Sequence, residues 1–106
     1  MNIVNVAKDF SRYPAGRNLR DGPFNGELFR KKFLEQPLLS GQIVEVHLDG
    51  TRGYGSSFLE EAFGGLVRLG IAADRVLSLI HFVSAKPSLI QEIREYIERA
   101  PSGETD

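Results

Sequence analysis

Between Ile43 and Leu48 the chain alternates, with Val44, Val46 and Leu48 on one side and Glu45 and His47 on the other. A period of two marks a β-strand with only one face fully buried, so helices are expected to cover mainly one face of the sheet. After a glycine-rich turn the period changes. Phe58, Leu59, Ala62, Phe63, Leu66 and Leu69 recur at helical spacing, with Glu60, Glu61 and Arg68 outside the stripe. This predicts a helix over 57–69 with Gly70 as its cap. Gly64 and Gly65 inside it should cost about 1 kcal/mol each relative to alanine, so a close backbone approach to the sheet or to a partner is expected to compensate.

The remaining elements follow from the same signals. Ile3, Val4 and Val6 read as a first strand, and residues 11–26 as a loop punctuated by Pro14, Gly16, Gly22, Pro23 and Gly26. Inside that loop, Arg17 to Arg20 offers a short edge strand. Asn25 is placed as the N-cap of a helix with Leu28, Phe29 and Phe33 on one face, ending at Gln36-Pro37. Val76 to Phe82 reads as a further strand. Pro87-Ser88 opens a last helix, with Ser88 and Gln91 as a capping box, Leu89, Ile90, Ile93 and Ile97 as the stripe, and Glu95–Arg99 as an i,i+4 pair. Pro101 stops it, leaving 101–106 as a disordered tail.

The expected architecture is a single small α/β domain over residues 1–100, with a mixed, mostly parallel sheet of about four strands and three helices mainly on one face. Right-handed crossovers make the strands that start at Ile43 and Val76 parallel neighbours. Ligand sites in such sheets lie beyond the carboxyl ends of the strands, which is where Asp49 to Ser57 falls.

Composition narrows the function classes. A chain of 106 residues with 42% apolar and 25% charged residues is an ordinary globular domain, and its net charge of -1 argues against a general nucleic-acid binder. It contains no cysteine, which removes disulfides, thiolate metal sites and cysteine nucleophiles. The N-terminal MNIVNVAKDF lacks the basic and apolar regions of a signal peptide, and no apolar run reaches membrane-spanning length. A cytoplasmic location with no membrane partner is the expectation.

The candidate chemistry converges on one segment. Asp49 ends a strand, Gly50, Gly53 and Gly55 turn the chain, and Ser56-Ser57 open a helix, which gathers free N–H groups and two hydroxyls at one point. With Arg52 or Arg17 closing over it, this turn is a candidate cradle for a small anionic ligand or nucleotide. Ser57 to Glu60 also fits a capping box, so Ser57→Ala should cost about 1 kcal/mol. Nucleotide motifs are incomplete: Phe58 stands where the third glycine of G-x-G-x-x-G belongs, and the Walker lysine is missing. No G-x-S-x-G elbow is present, and no nucleophile, oriented base and oxyanion site can be assembled, so neither enzyme activity nor a cofactor is expected.

Two further groups carry a plain reading beside a functional one. His47, His81 and Glu45 are the minimum donor set for zinc if their strands are neighbours, and otherwise a solvated sheet face. No metal is assigned to them. Arg12, Arg17, Arg20 and Arg52 are loop guanidinium groups that either stay solvated or, if the loops meet, grip a phosphate or the acidic side chains of a partner.

The segments DFSRYPAGR, DGPFNGELFRKKFL and VEVHLDGTRGYGSSFLEEAFGGLVR resemble the STAS-like domain family, small bacterial proteins without an assigned activity. The resemblance covers nearly the whole chain and is most specific from Asp49 to Arg68. It implies kinship with STAS domains of sulphate transporters and anti-sigma-factor antagonists, in which a sheet with helices on one face serves as a docking surface. Those domains carry an aspartate-serine-serine-glycine motif whose second serine is phosphorylated by a partner kinase, and Gly55-Ser56-Ser57-Phe58 occupies the similar place. By resemblance the phosphoacceptor falls on Ser57, with Ser56 beside it, and the partner is an ATPase-type serine kinase or a sensor protein. Gly55 replaces the aspartate of that motif and Phe58 its glycine. The function expected is therefore a regulatory module, monomeric or weakly homodimeric, docking a protein through Asp49, Arg52, Gly53, Gly55, Glu60 and Glu61.

Overall fold

In a computed structural model that describes residues 2–101, three short strands form one sheet: β1 (Asn2–Asn5), β2 (Val44–His47) and β3 (Ile80–Val83). Their order is β1-β2-β3 and both pairings are parallel, with Val4 opposite Val46 and Val46 opposite Phe82. The sheet is thus wholly parallel with three strands, not mixed with four. Burial alternates along it as the sequence pattern requires. Val4, Val44, Val46 and Ile80 are buried on one face, while Ile3, Glu45, His81 and Val83 on the other are exposed or half-buried. The helices therefore pack on one face only.

The expected fourth strand is absent. Residues Leu19–Asp21 form a single 3-10 turn, and the loop around them is held by Arg17 N–H donating to the Asp21 carboxylate at 3.0 Å. Short polar side chains here capture the backbone before a ladder can. Around the sheet stand about five helical segments rather than three. A single π-helical turn, Val6–Phe10, follows β1 directly, capped by Asn5, whose side chain accepts from Lys8 N–H at 3.1 Å while Asp9 accepts from Asn5 N–H at 2.7 Å.

The helix α1 begins at Gly26–Phe29, widens to a π-turn over Arg30–Leu34 and ends as Glu35–Leu39. Asn25 is its N-cap, accepting from Leu28 N–H at 2.9 Å. Pro37 does not stop it; the wide turn just before the proline is where the ring and the missing N–H are accommodated. The helix α2 has the same build: Ser56–Leu59, a π-turn over Glu60–Gly64, then Gly65–Arg68. It ends in a Schellman motif, in which Gly70 (φ 117°) donates to Val67 O and Ile71 to Leu66 O.

The segment read as one strand from Val76 to Phe82 is divided. Ala73–Leu79 is a helix, α3, which runs straight into β3. Val76, Leu79 and Ile80 fit a helical stripe as well as a strand, and Val76 and Ile80 are both buried. The last helix, α4, is Pro87–Arg99, with Pro87 at its first position and Lys86 as an N-cap without a side-chain bond, so the Ser88–Gln91 box is not formed. Ile93 and Ile97 are fully buried, and the exposed Glu95–Arg99 pair is 3.6 Å long. Of the proposed tail, Pro101 is exposed and residues 102–106 lie outside the described residues.

One core fills the space between sheet and helices. Its centre is a ring cluster in which Phe29 meets Phe10, Phe33, Phe58 and Phe63 at centroid distances of 5.2–6.1 Å. The helices α1 and α2 cross closely because Gly26 has no side chain: a Cβ there would lie 2.5 Å from Phe58 O. No described helix is long and apolar enough to cross a membrane.

Candidate functional site

The segment from Asp49 to Glu61 stands at the carboxyl ends of the strands, as expected for a parallel sheet. Its parts differ in what they offer. Asp49 is exposed, yet both carboxylate oxygens are occupied: Oδ1 accepts from Ser84 Oγ at 2.7 Å and Oδ2 from Ala85 N–H at 2.8 Å. These two bonds, with Lys86 nearby, hold its pKa below the usual aspartate value. Asp49 is a clasp between the loops that follow β2 and β3.

Tyr54 closes the turn from the other side. Its hydroxyl donates to Leu48 O at 2.6 Å and its ring lies 6.0 Å from Phe58; burial pushes the phenol up to about 12. The turn between these anchors is open, since a Cβ at Gly53 or Gly55 would meet nothing within 4 Å. The anion cradle expected here is incomplete. Gly53 N–H donates to Thr51 Oγ1 at 3.3 Å, and Arg17 points elsewhere.

Gly55 is the N-cap of α2, two residues earlier than the capping box predicted. Ser56 and Ser57 therefore occupy the first two helical positions, exposed, and neither caps the helix. Phe58 turns the opposite way and is fully buried in the aromatic cluster. The bulky residue after Ser57 therefore does not cover it.

Glu60 does not reach back to Ser57. It is half-buried and binds Arg68 at 2.6 and 3.0 Å and Arg17 at 2.6 Å. Glu61 binds Arg17 at 2.9 Å and Arg30 at 2.5 Å, and Arg30 also donates to Glu61 O at 2.7 Å and to Glu35 at 2.8 Å. Burial raises the pKa of each glutamate, but the arginine bonds outweigh it and leave both below the ordinary value. Burial likewise works against the charge on Arg30, and its bonds to Glu35 and Glu61 raise its pKa all the same. Glu60 and Glu61 are thus parts of an internal lock and not free acids at a docking face.

The lock also accounts for Gly64-Gly65. A Cβ on Gly65 would run into the Arg30 guanidinium, and one on Gly64 would lie 2.6 Å from Glu60 Oε2. The compensation expected from a close approach is real, but what approaches is a pair of charged side chains rather than the sheet. Sequence periodicity did not single out Arg30 or Arg68 as network members. Two adjacent glutamates followed by two glycines were the available signal.

The four loop arginines separate. Arg52 N–H donates to Arg12 O at 2.8 Å, which joins the glycine-rich turn to the loop after β1, while Arg17 is held on α2 and Arg20 sits exposed on the 3-10 turn. On the open sheet face Glu45 and His47 bind each other at 2.6 Å, and His81 is the register partner of Glu45. Among the described residues no group of three such side chains is placed to hold a metal ion.

Comparison with known families gives one finding. The family described as a STAS-like domain of unknown function matches residues 25–89, more than half of the chain, from the α1 cap to the first turn of α4. No curated protein and no solved structure matches it.

Proposed function

We propose that this chain, which belongs to the STAS-like domains of unknown function, is a non-enzymatic regulatory module that docks a protein partner at the start of α2, with Ser57 as a phosphorylatable switch. The observation that carries this reading is the exposure of Ser56 and Ser57 at the first two positions of a helix whose next two turns are locked by ion pairs. A phosphate there suits the helix, since negative charge is stabilised at an N-terminus. It also has a defined target. Ser57 lies three and four residues before Glu60 and Glu61 on the same helix face, and Arg17 binds both glutamates.

A phosphate adds about -1.5 to -2 charges and competes with the glutamates for Arg17, which would shift the loop carrying Arg17 and Asp21. The docking face then changes in shape as well as in charge. An ATPase-type serine kinase or sensor protein is the partner class that this chemistry suits. The test is affinity capture from the native cell with wild type, Ser57→Ala and Ser57→Asp, followed by mass analysis of Ser56 and Ser57. Expected are phosphate on Ser57 and a partner kept by wild type and Ser57→Ala but lost by Ser57→Asp. Equal retention by all three rules out the switch.

A further inference from the structure

The carboxyl end of the sheet carries four cationic side chains that form no ion pair among the described residues. Two clefts, of about 190 and 350 Å³, lie on either side of the Asp49-Gly50 turn and share both of these residues. The first is lined by Arg52 and Lys86, the second by Lys8 and Arg12. All four side chains are exposed, and none has an ion-pair partner among the described residues. They come from three separate connections, one after each strand, and the bond from Arg52 N–H to Arg12 O holds two of those connections together.

The one carboxylate in both clefts, Asp49, already accepts two hydrogen bonds from the β3–α4 loop. The rim therefore has four cations against one occupied acid. Like charges on one rim repel one another, and a folded chain of 14 acidic and 13 basic residues has acids enough to pair them. At α2 it does so; at the rim it does not. The unpaired cations line clefts where parallel sheets hold ligands, and the span across two clefts suits an elongated anion with several charges.

We infer that the rim binds a polyphosphate group, bridging Arg52 and Lys86 on one side of Asp49-Gly50 and Lys8 and Arg12 on the other. The cleft beside Lys86 also has the half-buried Tyr54 and Leu89 in its wall, an apolar surface that an inorganic chain leaves unused and a nucleoside covers. Free triphosphate and nucleoside triphosphate share the recognised chemistry. This site is separate from Ser57 and does not depend on its modification.

Calorimetric titration of the full chain with inorganic phosphate, inorganic triphosphate and ATP at low salt tests the inference. Triphosphate is expected to bind at least tenfold more tightly than phosphate, with affinity falling as salt rises. The double variant Arg52→Ala/Lys86→Ala and the double variant Lys8→Ala/Arg12→Ala should each weaken triphosphate tenfold or more. Arg75→Ala/Arg94→Ala, which removes two exposed arginines of α3 and α4, should leave it unchanged. Tighter binding of ATP than of triphosphate assigns the apolar wall to a nucleoside, and equal binding assigns the site to free polyphosphate. No binding at millimolar triphosphate, equal affinity for phosphate and triphosphate, or an equal loss in the Arg75/Arg94 control overturns the site. Circular dichroism of each variant separates lost binding from lost fold.

Discussion

Two charged regions of this molecule have opposite designs. At the crossing of α1 and α2, Arg17, Arg30 and Arg68 are bound to Glu60, Glu61 and Glu35 over distances of 2.5–3.3 Å, partly buried and with both central glutamates shifted toward the ionised form. At the carboxyl end of the sheet, Lys8, Arg12, Arg52 and Lys86 are exposed and have no such partner among the described residues. The first arrangement fixes one geometry for two helices. The second leaves donors free for something outside the chain. Charge that is paired and half-buried ties elements of the fold together, whereas exposed charge without an ion pair does not.

The largest effect should come from breaking the lock at its most buried member. Arg30→Met leaves Glu35 and Glu61 without that cation and the Glu61 carbonyl with only its backbone donor, and should cost about 3 kcal/mol in equilibrium urea unfolding. A loss below about 1 kcal/mol would place the pair among ordinary surface ion pairs and remove the contrast. Gly65 provides an independent check, because Gly65→Ala collides with Arg30 in the native protein. The same change should be much less harmful in the Arg30→Met background, a coupling that separate, additive sites do not show.

How much of this was legible in the sequence depends on how local each signal is. Asn25 as a cap, the alternation of Val44–His47 and the stripe of α4 need only neighbouring residues, and all three appear in the structure. The strand read from Val76 to Phe82 held only from Ile80, because Val76, Leu79 and Ile80 also fit a helical stripe, and only the sheet decides where one gives way to the other. The π-turn after β1 had a signal in Asn5, which accepts from Lys8 N–H, and Asp9, which accepts from Asn5 N–H, but the apolar run ending at Val6 suggested a longer strand. The position of the Asp49–Glu61 segment at the carboxyl ends of the strands was readable from topology alone. Which side chains surround it was not, because Lys8 and Lys86 line the adjoining clefts from connections distant in sequence, and Glu60 and Glu61 look solvated until Arg17 and Arg30 are seen to fold over them.

A smaller effect, spread over pH, tests the same contrast without replacing a core side chain. Glu60 and Glu61 have folded pKa values below the ordinary 4.5, so their contribution is complete above the unfolded value and is lost as pH falls through the lowered folded values. Stability should thus hold from neutral pH down to about 5 and fall steeply below about 4.5 as the unfolded chain takes up protons first. The double variant Glu60→Gln/Glu61→Gln should start from lower stability and lose less of it over the same range. A variant curve parallel to the wild-type curve would mean that other carboxylates set the acid sensitivity.

The smallest expected effect on stability belongs to the rim. Arg52→Ala/Lys86→Ala removes two exposed cations, keeps the Arg52 N–H that bonds to Arg12 O, and disturbs no ion pair in the described residues. Stability should stay within about 0.5 kcal/mol of wild type, as for surface changes away from structural features, or rise slightly as repulsion among the remaining cations falls. Chemical denaturation at low and high salt checks this. Wild type should gain more from added salt than the variant, since salt screens the repulsion that the substitution has already removed. A clear loss of stability in the variant would show these cations to be structural after all, and the difference between the two charged regions would then be one of exposure alone.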